Sequence, residues 1–378
     1  MKPNVLLGPG SIRQVGTFLQ ENKVQSIFLV TGRTSYSASG AEAALEDILR
    51  TREVATFSGF ESNPKMDDIE RGLSLFRHAS RDLILAVGGG TAIDTAKLIA
   101  ILSAQNSSPL DIVLGREQIR MPGPPVMALP TTAGTGSEVT HFAVVYVDDH
   151  KYSLAHPTMR PSYAIVDPEL THSMPPQITA VTGLDAFSQA VESMWSVHAT
   201  PQSKTCSREA IQLALKHLPE AVHRPTPICR HAMSRASHLA GKAIDVTRTT
   251  APHAISYTMT SHFRVPHGLA VALTLGPTLV YNSRVTAEDC QSERGAEDVR
   301  RAIDEVQVLL GSRDPECSRQ RITELIESLG LPTRLHDVGI RTPADREILV
   351  DNVNLERLAN NPRRMTREAL RQLLEEIA

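Results

Sequence analysis

The sequence predicts a two-part protein: an N-terminal doubly wound α/β domain over residues 1–168 and an all-helical domain over residues 169–378. Three observations carry this. Short β-rich runs alternate with helical stretches up to about residue 168, glycine-rich segments follow two of those runs, and beyond Asp167-Pro168 helical periodicity dominates. A chain of 378 residues with 41% hydrophobic content can build more than one core.

The runs 27–31, 83–87, 126–129 and 164–166 are short, apolar and bounded by Gly, Pro or Asp, as buried parallel strands are. Residues 142–146, then Asp148-Asp149-His150, then 151–154 predict an inserted β-hairpin. In the second half, Leu184, Phe187, Val191 and Met194 repeat at the spacing of one apolar helix face. Arg224-Pro-Thr-Pro predicts a helix-breaking loop and residues 283–297 a polar connector, with the domain boundary near 167–176. Such a pairing suggests a cofactor-binding half, a catalytic half and a site in the cleft between them.

Composition narrows the function. A formal net charge of −3 leaves no basic excess for nucleic acid or a membrane surface. The longest apolar runs, such as 83–87, are too short to cross a bilayer, and Met1-Lys-Pro-Asn does not open a signal peptide, so a cytoplasmic protein is expected. Cys206, Cys229, Cys290 and Cys317 are scattered, which predicts free thiols in a reducing compartment.

Gly88-Gly89-Gly90-Thr91-Ala92-Ile93-Asp94-Thr95-Ala96-Lys97 follows one strand and opens a helix, where free N–H groups and the helix dipole suit a pyrophosphate. Thr131-Thr132-Ala133-Gly134-Thr135-Gly136-Ser137-Glu138 follows another strand and interleaves hydroxyls with glycines. Each alone could be a tight turn or a capping loop. Two of them after strands of one sheet point to a dinucleotide site. Further on, Asp185 and Gln189 lie four apart on one helix, so they share a face. His253 and His267 follow, and a carboxylate with two imidazoles suits Fe²⁺ or Zn²⁺.

The segments GGGTAIDTAK and TTAGTGSE resemble the two cofactor motifs of the iron-containing (group III) alcohol dehydrogenase family, whose architecture is shared with dehydroquinate synthase-like proteins. The resemblance runs from Gly8-Pro-Gly-Ser to Asn361-Pro-Arg. It implies NADH or NADPH and one divalent metal. Gly89, Gly90 and Asp94 then match pyrophosphate-loop positions; Thr131, Thr132, Thr135 and Ser137 match the adenine, ribose and nicotinamide side; and Lys151 matches a lysine near the ribose. The implied metal ligands are Asp185, Gln189, His253 and His267, with Gln189 standing where the family usually has histidine. An amide oxygen can ligate, as a neutral and weaker donor. Tyr257 stands where many members carry another histidine, and could donate a proton or close the pocket.

Residues 184–196 and 249–257 are similar to one subgroup, the phosphonoacetaldehyde reductases of phosphonate biosynthesis. Lys242, Arg248, Thr249 and Thr250 precede the first histidine and would suit an anionic substrate, although Lys242 and Arg248 could equally be solvated or paired with Asp245. The resemblance thus implies reduction of a small, anionic aldehyde, with the metal as Lewis acid and Tyr257, Lys242 and Arg248 as candidate catalytic residues. A homodimer is compatible with it. After strand 27–31, Gly32 occupies a position where NAD-preferring relatives often place Asp, so acceptance of NADPH is expected. The competing readings are a generic alcohol dehydrogenase for uncharged substrates, a dehydroquinate synthase-like enzyme, and a metal-free binding protein with a decayed site.

Overall fold

The computed structural model describes residues 4–61, 64–78, 81–148 and 150–378. It divides into two compact units, Met1–Met174 and Pro175–Ala378.

The first unit is built on a six-stranded parallel sheet. Its strands are β1 (Asn4–Leu7), β2 (Ser26–Thr31), β3 (Glu53–Phe57), β4 (Leu83–Gly88), β5 (Val126–Pro130) and β8 (Tyr163–Val166), in the order β1-β8-β5-β4-β2-β3. The four runs read from the sequence are the four inner strands, and their side chains face cores on both sides of the sheet. The edge strands β1 and β3 were not foreseen. β1 is largely exposed and pairs only with β8, while β3 is partly exposed and pairs only with β2, so neither shows a continuous apolar run.

From β2 the chain runs to β3 on one side, and from β4 it runs to β5 on the other. The strand order therefore reverses between β2 and β4, where open α/β sheets form a ligand crevice at their carboxyl ends. Antiparallel β6 (Phe142–Val147) and β7 (His150–Ala155) form the expected hairpin, with Asp149 of its tip outside the described residues.

The second unit is dominated by helices, among them Pro176–Trp195, Pro201–His223, Pro227–Thr247, Ala251–Phe263 and His267–Ser283. Several begin with a Thr-Pro pair. Thr200 and Thr226 cap Pro201–His223 and Pro227–Thr247 through reciprocal capping boxes, and proline fills the first helical position, where a missing N–H costs nothing. The expected loop at Arg224-Pro-Thr-Pro is thus also the start signal of the next helix. Leu184, Phe187, Val191 and Met194 are fully buried as their spacing predicts. Among the described residues no helix is long and apolar enough to cross a membrane, and all four cysteines are free.

Candidate functional site

In the first unit the two glycine-rich segments meet. The Thr131 N–H donates to the Gly88 carbonyl at 2.9 Å, and the Gly32 N–H, at the end of β2, donates to the Val87 carbonyl at 3.4 Å. A side-chain carbon on Gly89 would lie 3.3 Å from Thr132, and one on Gly90 would lie 2.7 Å from Thr135. Glycine is required here because the two segments are in van der Waals contact. Gly89 begins helix Gly90–Ser103 with no side chain capping it, so the helix start faces the crevice as a pyrophosphate site needs. Thr135 Oγ1 donates to Ser137 Oγ at 3.0 Å. Thr131 Oγ1 is buried without a hydrogen-bond partner among the described residues.

Asp94 also reaches the hairpin. Its carboxylate accepts the Val144 N–H of the hairpin at 3.0 Å and pairs with Lys97 at 3.6 Å. Burial pushes its pKa up against the opposing pull of Lys97, Val144, Ser137 and Lys151. Asp94 thus ties hairpin to helix. Lys97, which the sequence reading passed over, is fully buried and donates from Nζ to Thr140 Oγ1 at 2.9 Å and to the Phe142 carbonyl at 3.0 Å. Lys151 lies half-buried on β7, opposite Tyr146. Arg33 and Thr34, beyond Gly32, are exposed.

In the second unit Asp185, His253 and His267 each bring a ligand atom within 4.8 Å of the others. Helix Pro176–Trp195 carries Asp185, Gln189 and Glu192, one face of which is buried although polar. His267 is held by its neighbour: a side-chain carbon on Gly268 would lie 1.8 Å from the Val181 carbonyl oxygen and 3.1 Å from Asp185 Cβ. Only glycine lets helix His267–Ser283 start against helix Pro176–Trp195 closely enough to place His267 beside Asp185.

Glu192, not foreseen as a site residue, organises this cluster. Its carboxylate accepts the Thr250 N–H at 2.6 Å and the Thr250 hydroxyl at 2.9 Å, and binds His253 Nδ1. His253 Nε2 is left facing Asp185 Oδ1 at 3.3 Å. Burial works against a charge on His253, but Glu192 and Asp185 outweigh it and lift its pKa to about 10. For Asp185, burial is outweighed in turn by His253, His267 and Gln189, and its pKa is lowered. Gln189 serves Asp185 with its amide, while its Oε1 is buried without a hydrogen-bond partner among the described residues. Such an acceptor costs about 1–3 kcal/mol unless something satisfies it. A cation would, and the donor set of carboxylate, amide oxygen and two imidazoles fits one borderline divalent ion.

Around the cluster, the Tyr257 ring stacks on His267 with centroids 6.1 Å apart and its hydroxyl accepts from Arg357 Nε at 3.4 Å. Arg248 ends helix Pro227–Thr247 at φ 58°, ψ 179°. This is a region that only glycine enters freely, at a cost of about 1–3 kcal/mol for other residues. Its charge is disfavoured by burial and by Arg357, and favoured by Glu356, Asp245 and Tyr257.

Two expected residues lie in other surroundings. Lys242 is exposed and its ammonium acts on the Cys206 thiol of a neighbouring helix. Thr250 is fully buried and spends its hydroxyl on Glu192 and the Trp195 indole N–H, at 3.1 Å from the latter, so it is no donor to substrate.

Comparison with known proteins gives the family. Residues 3–168 match the model of the iron-containing alcohol dehydrogenases, and residues 179–378 match the C-terminal model of the Fe-containing alcohol dehydrogenase family. The chain belongs to the iron-containing alcohol dehydrogenase family. It is an NAD(P)-dependent oxidoreductase of the alcohol dehydrogenase and aldehyde reductase class. Among its relatives, the phosphonoacetaldehyde reductase of Streptomyces viridochromogenes is 37% identical over 308 residues, covering 78% of this chain and 76% of that protein. The 1,3-propanediol dehydrogenase of Klebsiella pneumoniae is 33% identical, covering 90% and 88%. The sulfoacetaldehyde reductase of Bifidobacterium kashiwanohense, solved in complex with NAD⁺, superposes with a TM-score of 0.88 at 31% identity over 100% of this chain and 98% of that one.

Proposed function

We propose that the enzyme reduces a small anionic aldehyde to a primary alcohol, with phosphonoacetaldehyde to 2-hydroxyethylphosphonate as the best candidate. The observation that carries this is Arg248: a cation held in a glycine-only backbone conformation, in the electrostatic reach of Tyr257, whose ring stacks on His267. Strain of this kind persists where a side chain is needed in one place. Two relatives named above reduce aldehydes that carry a phosphonate or a sulfonate, which supports the same reading.

Asp185, Gln189, His253 and His267 would hold Fe²⁺ or Zn²⁺, and Gly89, Gly90, Thr131, Thr132, Thr135 and Ser137 would line the NAD(P)H site. Lewis acidity at the carbonyl oxygen and the hydride are supplied by these two groups when bound. The chain's own residues do the rest. Glu192 fixes the His253 ring with Nε2 toward the ligand set. Tyr257, whose ring stacks on His267, carries a hydroxyl that would supply the proton the product alcohol needs. Arg248 orients the anionic end of the substrate. Gly32 admits a 2′-phosphate that an aspartate would repel, so NADPH is accepted at least as well as NADH.

The test is oxidation of NADH and of NADPH against phosphonoacetaldehyde, sulfoacetaldehyde and propanal, with Fe²⁺ or Zn²⁺ supplied. The expected result is a kcat/KM for the anionic aldehydes at least about tenfold above propanal, equivalent to about 1.4 kcal/mol. A preference for propanal would return the chain to a general alcohol dehydrogenase, and a strong NADH preference would refute the role given to Gly32.

A further inference from the structure

The chain has one tryptophan, Trp195. It is the last residue of helix Pro176–Trp195, which carries Asp185, Gln189 and Glu192, and it is fully buried. Its indole Nε1 donates to Thr250 Oγ1 at 3.1 Å. Thr250 stands at the N-cap of helix Ala251–Phe263, where a threonine side chain ordinarily accepts an N–H from the first turn of its own helix. Thr200, Thr226 and Thr342 cap their helices in that way. The Thr250 side chain does not cap its helix. It is turned across to the neighbouring helix instead, where Trp195 and Glu192 meet it.

The direction of every proton in this contact follows from the chemistry of the first donor. An indole N–H can only donate, so Thr250 Oγ1 accepts there and has its own proton to give. That proton goes to Glu192 Oε2 at 2.9 Å, which also takes the Thr250 N–H at 2.6 Å. With two donors on Oε2, Glu192 is held as an acceptor, and Oε1 takes the proton of His253 Nδ1. Nε2 is then the nitrogen with a lone pair to offer, and it faces Asp185 Oδ1 at 3.3 Å. Aligned hydrogen bonds polarise one another, so each step strengthens the next. The backbone around Thr250 is fixed from two sides. Ser196 Oγ donates to the Thr247 carbonyl at 2.7 Å, and Asn360 Nδ2 donates to the Thr249 carbonyl at 2.9 Å. Without the indole, the ordinary capping bond to its own helix would compete for the Thr250 oxygen.

We propose that Trp195 is a positioning residue of the metal site: through Thr250 and Glu192, its indole N–H commits His253 to present Nε2 to the ion. This rests on the reading of Asp185, Gln189, His253 and His267 as the ligands.

The experiment has two readouts, both on the full chain and neither dependent on turnover. In ¹⁵N-labelled, metal-stripped wild type, the one tryptophan gives one indole N–H signal. It should move in step with occupancy as Zn²⁺ is titrated in, and it should stay still in Asp185→Ala. Competition with a chromogenic chelator then measures Zn²⁺ affinity in the variants. Trp195→Phe and Thr250→Val should each weaken binding about threefold to tenfold, the share of one neutral buried hydrogen bond. The double variant should be no weaker than the weaker single one, because both changes break one chain, and Thr250→Ser should keep the wild-type affinity. An indole signal unmoved at saturation, additive losses in the double variant, or wild-type affinity in Trp195→Phe would overturn the coupling while leaving the ligand set in place. If wild type takes up no Zn²⁺, or Asp185→Ala binds it as tightly, the ligand assignment fails and the coupling with it. Should the variants not fold, the wild-type indole signal decides alone.

Discussion

Replacing Glu192 with glutamine keeps size and shape but removes a charge and one acceptor. In the native site Oε2 accepts both Thr250 donors, at 2.6 and 2.9 Å, and Oε1 takes His253 Nδ1. Glutamine has one oxygen. If that oxygen stays with Thr250, the amide NH₂ meets Nδ1, and His253 can satisfy it only by moving its proton to Nε2, the nitrogen that faces Asp185. A protonated Nε2 cannot ligate. The lost charge-assisted bond is worth about 1.5–3 kcal/mol, or roughly tenfold to a hundredfold in affinity at about 1.4 kcal/mol per decade. That agrees with the effect of removing a partner behind a metal-bound histidine. Competition with a chromogenic chelator should therefore show Zn²⁺ held about tenfold to a hundredfold more weakly by Glu192→Gln. An unchanged affinity in a folded variant would refute the assignment of Glu192 as the residue that positions His253.

Three further outcomes follow from the same geometry. Gln189→His should tighten divalent-metal binding by about tenfold, near 1.4 kcal/mol, read in the same competition; weaker binding would show that Gln189 does not face the ion. Gly268→Ala places a carbon 1.8 Å from the Val181 carbonyl oxygen, so helix His267–Ser283 must shift, and thermal unfolding should show a loss of about 1–3 kcal/mol together with lower metal content. Gly90→Val meets Thr135 at 2.7 Å and should raise the Kd for NADH, read by fluorescence titration, at least about tenfold (about 1.4 kcal/mol) while metal content stays at the wild-type level.

The inner strands β2, β4, β5 and β8 were legible because burial on both faces leaves an apolar run in the sequence, and the hairpin because its strands flank a polar turn. The edges β1 and β3 leave no such signature, since half of their residues answer to solvent. The candidate ligand cluster was legible through spacing and resemblance together: Asp185 and Gln189 share a helix face, and the two histidines are fourteen apart. Glu192 continues that face, seven residues after Asp185, and this spacing was the signal available for it. Arg357 had none, because its neighbours Tyr257 and Arg248 are brought to it by tertiary packing alone. Lys242 is near His253 in sequence but exposed, and sequence proximity alone does not say what it faces.

The central claim is that Asp185, Gln189, His253 and His267 hold the one ion on which reduction of an anionic aldehyde depends. The direct measurement is to strip the enzyme with a chelator, titrate Fe²⁺ or Zn²⁺ back, and follow bound metal and phosphonoacetaldehyde-dependent NAD(P)H oxidation together. The account predicts that activity is lost on stripping and returns in proportion to one ion per chain, and that Asp185→Ala and His267→Ala recover neither metal nor turnover. Full turnover in the stripped enzyme, or full metal content in those two variants, would contradict it.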